Sequence, residues 1–216
     1  MPADEALVRK TIQEAFSSHL RPDDKGKVAW GNIDTDFSDS YFYNLDFSDI
    51  KFTRKALFSN SYFYGNETHF NHTQFTQQGV FAGSTFYNSV DFSGSRWKFN
   101  AILDGSSFID TKDNSPYSSY SSASFVDMHV DHDLLFNNIS IKNNVDFGML
   151  YKGKHMQSLV VSGTLSANEM SITDTTVDFS GAKLSSYHGN IKSSQNGTLV
   201  IGKKQYSSDG DSFSSH

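Results

Sequence analysis

The chain has 216 residues, with 19 Phe and 10 Tyr against 3 Pro, no Cys, and a formal net charge of −6. The absence of cysteine excludes a disulfide framework and a thiolate zinc site, and scattered basic residues in an acidic chain disfavour direct binding of nucleic acid or an anionic membrane. No run approaches the roughly 20 apolar residues of a membrane span, and the first thirty residues carry charges instead of an apolar signal segment. A soluble, cytoplasmic product is therefore expected, with secretion into a host cell by a route that reads no cleavable signal left open.

Residues 4–20 predict a helix. Val8, Ile12, Ala15, Phe16 and Leu20 fall on one stripe, Arg9, Lys10, Gln13 and Glu14 lie off it, and Asp4 and Glu5 suit the positive end of the helix dipole. The segment Arg21-Pro22-Asp23-Asp24-Lys25-Gly26 breaks the helix, and residues 1–30 read as a cap and linker that close the open end of a repeat array beginning near residue 31.

Phenylalanine then returns every fifth residue, at Phe37, Phe42, Phe47 and Phe52. A period of five fits neither the 3.6 of a helix nor the 2.0 of a flat strand, and it requires a chain that turns a corner in every unit. The beat continues as the pairs Phe58/Phe63, Phe70/Phe75, Phe81/Phe86 and Phe92/Trp97. Phe37, Phe58 and Phe81 are 21 and 23 residues apart, as are Phe42, Phe63 and Phe86, so four inward residues recur per coil of about 22 residues. This predicts a four-sided β-solenoid over residues 31–205, with the twelve aromatic residues as its interior columns.

Units such as Val90-Asp91-Phe92-Ser93-Gly94 and Val177-Asp178-Phe179-Ser180-Gly181 resemble the pentapeptide-repeat family, most clearly over about residues 34–104. The resemblance implies an all-β fold, a right-handed quadrilateral β-helix, with the central Phe and the small residue two before it both inward. Large residues at the small position, as at Leu45 and Ile50, and coils longer than the family's imply a distorted cross-section.

Residues 109–123 contain no repeat and predict a surface loop, after which Phe125 and Phe147 resume the 22-residue spacing. Met170 follows Phe147 by 23 residues, so coils are expected to continue to about residue 201. The Ser-, Asp- and Gly-rich residues 206–216 read as a flexible tail.

No nucleophile elbow, phosphate loop or paired-histidine motif is present, so neither catalysis nor a cofactor is expected. Strand alternation would put Asp127, His129, Asp131 and Asp133 on one face, where imidazole and carboxylates could hold a divalent metal; a solvated outer face is the plainer reading. Asp34, Asp36, Asp39, Asp46 and Asp49 form the densest acidic stretch and would make an outward negative patch. The leading expectation is a non-enzymatic protein–protein interaction module working through its flat faces and the 109–123 loop. Similarity to repeats in secreted bacterial effectors is compatible with that role, as is a part in a larger assembly or a homodimer through a solenoid end. The alternative comes from the resemblance: some pentapeptide-repeat proteins are acidic DNA mimics that occupy the DNA-binding saddle of a type II topoisomerase such as gyrase.

Overall fold

A computed structural model describes residues 3–87, 89–109, 122–142, 144–151 and 154–215. Each five-residue unit supplies one short strand and one corner, and the strands of the repeat pair in parallel with the equivalent strands of the next coil. Four ladders result. Side 1 runs through Thr35–Asp36, Ala56–Leu57, Gly79–Val80, Ala101–Ile102 and Leu134–Leu135, and side 2 through Tyr41–Tyr43, Tyr62–Tyr64, Thr85–Tyr87, Ser107–Ile109 and Ser140–Lys142. Side 3 runs through Glu67–His69, Ser89–Asp91, Ser122–Ser124, Asn144–Asp146, Thr176–Asp178 and Thr198–Ile201. Lys51–Phe52, Gln74–Phe75, Arg96–Trp97 and His129–Val130 make side 4. The later coils merge into the long strands Val160–Thr173 and Lys183–Gln195, which bend across sides 4, 1 and 2. The fold is an all-β solenoid, four-sided as the four inward residues per coil predict.

The interior is a set of ring columns. Phe42, Phe63, Phe86 and Phe108 stack at 5.2, 4.6 and 5.1 Å, and Phe37, Phe58 and Phe81 at 5.1 and 4.6 Å. Phe52, Phe75 and Trp97 stack at 5.2 and 4.0 Å. The remaining column departs at its first step, where Phe47 meets Phe70 edge-on at 81°, before Phe70 stacks on Phe92 at 5.1 Å. All twelve of the predicted column side chains are buried.

Polar residues are assigned by the same geometry. The inward position two residues before Phe63, Phe86 and Phe108 holds fully buried Ser61, Ser84 and Ser106. Their hydroxyls donate to the carbonyls of Phe37, Phe58 and Phe81 at 2.6–2.7 Å, which satisfies groups that burial would otherwise penalise. Corners need a left-handed residue. One corner carries Asp39, Asn60, Gly83, Gly105 and Asn138, and another Asp49, His72, Gly94 and Asp127, all with φ between 54° and 71°. In the Asp-Phe-Ser units the carboxylates of Asp36, Asp46, Asp91 and Asp178 accept the N–H of the serine two residues on.

Coil starts on side 1 advance by 21, 23 and 22 residues from Thr35 to Ala101, then by 33 to Leu134 and 31 to Leu165. The first long step spans the segment read as a loop, of which residues 110–121 lie outside the described residues, while Ile109, Ser122 and Ala123 at its ends belong to strands. The second contains an antiparallel pair, Gly148–Tyr151 with Lys154–Ser158, closed at its base by the Leu159 N–H donating to the Phe147 carbonyl at 2.8 Å. Because of this excursion, Met170 does not stack on Phe147 as its 23-residue spacing suggests: Phe147 stacks on Phe179 at 3.9 Å.

Both ends are covered, neither in the way the sequence predicts. Helix α1 (Ala3–Leu20) docks through Phe16 and Leu20 and through the polar row Arg9, Gln13 and Ser17, not through the whole apolar stripe. Arg9 donates to the Tyr41 carbonyl, Gln13 exchanges two bonds with the Tyr43 backbone, Ser17 donates to the Asp46 carbonyl, and Arg21 beyond the helix donates to Ser48. Unpaired backbone on the first coil requires hydrogen-bonding partners, and an i, i+4 row of polar side chains supplies them. Val8 and Ile12 are left more than half exposed. At the other end, residues 206–215 do not form the flexible tail read from the sequence, and His216 lies outside the described residues. Thr198–Ile201 turns back as Lys204–Tyr206, and Ser212–Ser214 pairs antiparallel with His188–Asn190, burying Phe213.

Candidate interaction surface

The interior is filled with rings, so what the molecule presents is the outward row of each side. On side 3 the register stacks Asp46, His69, Asp91, Ser124, Asp146 and Asp178 in one column, with Glu67 beside His69. No Lys or Arg occurs in the strands of side 3 from Glu67–His69 to Thr176–Asp178. The column borders a concavity of about 460 Å³ lined by Glu67, His69, Ser89, Asp91, Ser124 and Asp146, among others. The Asp46 carboxyl is partly desolvated, which opposes ionisation. Hydrogen bonds from the Ser48 hydroxyl and N–H, with His69 and Arg21 nearby, outweigh this and hold it below the usual carboxylate range.

Side 2 carries tyrosines in both of its outward rows, on either side of the inward Phe. Tyr41 stacks on Tyr62 at 5.0 Å and Tyr64 on Tyr87 at 4.7 Å, with ring planes within 10°. Desolvation, followed by the neighbouring phenols of Tyr87, Tyr41 and Tyr62, pushes the Tyr64 hydroxyl above its ordinary pKa, so it stays a neutral donor. Sequence reasoning missed this ladder. Its signal was the pattern Tyr-Phe-Tyr at 41–43 and 62–64 and Thr-Phe-Tyr at 85–87, which places a phenol on either side of an inward Phe.

The acidic stretch read from the sequence does not form one patch. Asp34 and Asp36 lie on side 1, Asp46 on side 3, and Asp39 and Asp49 at two corners. The Arg54 guanidinium, 3.2 Å from Asp34, lowers its pKa, and the Ser38 N–H lowers that of Asp36. Asp49 lies 3.6 Å from His72. Consecutive acidic residues here belong to different sides because the chain turns every five residues.

The candidate metal set is likewise dispersed. Only His129–Val130 is strand, so alternation ends at the corners on either side. Asp127 is a left-handed corner residue whose carboxylate pairs with Arg96 at 3.3 Å, and its carbonyl lies 3.0 Å from His129 Nδ1. Asp131 is exposed, while Asp133 accepts the Thr164 N–H at 2.8 Å from the next coil. Among the described residues no group of three His, Asp or Glu could hold a metal ion. No described helix is long and apolar enough to cross a membrane.

Comparison with protein-family models, with curated proteins and with solved structures finds no match to this chain.

Proposed function

We propose that the chain is a non-enzymatic scaffold that binds a basic protein segment across sides 2 and 3. The carrying observation is the juxtaposition on consecutive sides of a tyrosine ladder and an acidic column free of Lys and Arg. Arginine-bearing segments suit this pair of columns: guanidinium groups pair with carboxylates and pack on phenol rings. Side chains in the same outward register recur about every 4.8 Å along the solenoid, which suits an extended segment with contacts repeated along its length. The non-enzymatic reading is supported by an interior occupied by rings and by titratable groups distributed over separate sides.

Duplex-DNA mimicry is less well supported. The side 3 column offers at most about one carboxylate per 4.8 Å coil, whereas a duplex carries one charge per roughly 1.7 Å of axis. A fluorescent arginine-rich peptide titrated at about 50 and about 300 mM salt tests the basic-segment reading. Binding should weaken with salt and fall about tenfold or more in Asp91→Asn/Asp146→Asn, with a smaller loss in Tyr64→Ala. No binding at low salt, or unchanged binding by the double variant, would sink the assignment.

A further inference from the structure

We infer that the N-terminal end of the solenoid is a homodimer interface, in which α1 of each copy seats in a cleft of the other. The starting observation is where exposed apolar side chains lie. Among the described residues the large exposed hydrophobics are Leu7, Val8, Ile12, Ile33, Tyr41, Tyr43 and Phe99, and every one but Phe99 belongs to α1 or the first coil. The opposite end shows no such excess, because Phe213 and Tyr206 pack onto the core there. An isolated exposed leucine means little, but a cluster at one end of a molecule whose other end is closed marks a contact surface.

Shape supports a second copy as the occupant. Beside α1 lies a cleft of about 500 Å³ whose wall includes Ile12, Phe16, Ile33, Phe37, Tyr41 and Phe42. Leu7 and Val8, one turn up the same helix, project at 65% and 58% exposure. The surface therefore carries an apolar ridge and an apolar hollow side by side, the self-complementary arrangement that a two-fold contact requires.

Charge does not add to this contact: Lys10 lies on the other flank of α1, beside Asn44 and Asp46, while Arg9 shares the cleft wall with Asp34 and Asp36 and Asp34 pairs with Arg54, so the contact is held by its apolar side chains.

The area is adequate. Leu7, Val8, Ile12, Ile33 and Tyr41 are each about half exposed and offer on the order of 500 Å² of mainly apolar surface per copy. A pair would bury about 1,000 Å², where specific interfaces begin. Side 3 is not involved, but Tyr41 belongs both to this contact and to the side 2 tyrosines of the proposed partner surface, so the two surfaces meet at that residue.

Sedimentation velocity of the full chain from about 1 to about 100 μM tests the inference. The native chain should dimerise in the micromolar range. Val8→Asp/Ile12→Asp, confined to exposed side chains, should raise the dissociation constant about 100-fold or more with an unchanged circular dichroism spectrum. Lys203→Glu, at the far end, should leave it within about threefold. Since the chain has no cysteine, Thr11→Cys on the outer face of α1 should give a disulfide-linked dimer on mild oxidation, and Lys203→Cys should not. A native chain that is monomeric at the top concentration would overturn the inference, as would a dimer indifferent to the α1 substitutions or cross-linked through position 203.

Discussion

Gly79 occupies a tight place among the interior rings, and its replacement by alanine tests the column register directly. It is the inward residue two before Phe81, against the edges of the Phe75 and Trp97 rings, which stack on each other at 4.0 Å. A Cβ built at Gly79 lies 2.6 Å from Trp97 Cζ3 and 2.8 Å from Phe75 Cδ1, both inside contact distance. The backbone of Gly79 is not left-handed, so alanine is conformationally allowed and would by itself stabilise by about 0.4–1 kcal/mol through the unfolded chain. The rings have little room to retreat: both are buried, and Trp97 Nε1 donates to Ser95 Oγ at 3.0 Å. Overpacking of this kind costs about 1–3 kcal/mol, which leaves a net loss of about 1–2 kcal/mol for Gly79→Ala. In a Trp97→Phe background the Cζ3 contact is gone while that to Phe75 at 2.8 Å remains, so the same substitution should cost distinctly less. Urea denaturation followed by circular dichroism should therefore give a coupling of about 1 kcal/mol or more across the four-variant cycle. Equal effects of Gly79→Ala in both backgrounds would refute the stacking of Trp97 against this position.

The same packing sets further outcomes. Phe63→Ala and Phe86→Ala should each cost about 3–5 kcal/mol through cavity formation, measured by chemical denaturation; losses under about 1 kcal/mol at both would contradict their place in the column. Asp34, Asp36 and Asp46 have folded-state pKa values below the ordinary 3.8, so the folded state binds fewer protons than the unfolded one as these groups titrate. Their contribution is complete above about pH 5 and is lost as pH falls through the folded values, so the thermal midpoint should drop between about pH 5 and pH 2.5, less steeply in Asp34→Asn/Asp46→Asn. Deleting residues 207–216 should lower the thermal midpoint by several degrees, because it uncovers the site of Phe213 and removes the strand paired with His188–Asn190. An unchanged midpoint would mean that the segment does not close the end.

The four-sided interior was legible because a large ring at each inward position leaves a period that no other structure shares. Phe37 to Trp97 could be placed in columns from spacing alone. Legibility failed where geometry and composition part. Gly148 to Ser158 inserts an antiparallel pair of nearly half a coil's length, and the coincidence of Met170 lying 23 residues after Phe147 hid it. Phe213 sits in a Ser- and Gly-rich segment that reads as solvated, yet Ser-Phe-Ser is the outward-inward-outward pattern of a strand covering an apolar end. In α1 the apolar stripe suggested the docking face, but the first coil has open backbone groups, and satisfying them requires the face that bears Arg9, Gln13 and Ser17.

The acidic column shows why function is harder to read than fold in such a chain. Each Asp of an Asp-Phe-Ser unit is placed by local chemistry: its carboxylate accepts the serine N–H, and its place directly before the inward Phe turns it outward. That role alone explains why Asp recurs, and it would do so with no partner at all. What local chemistry does not require is the absence of Lys and Arg from the intervening outward positions of side 3, where Glu67, Ser89 and Thr176 stand. Lysine at those positions would leave the turns intact while neutralising the column. Ser89→Lys/Thr176→Lys thus separates the two roles, and the basic-segment reading requires it to retain native stability while losing affinity for an arginine-rich peptide.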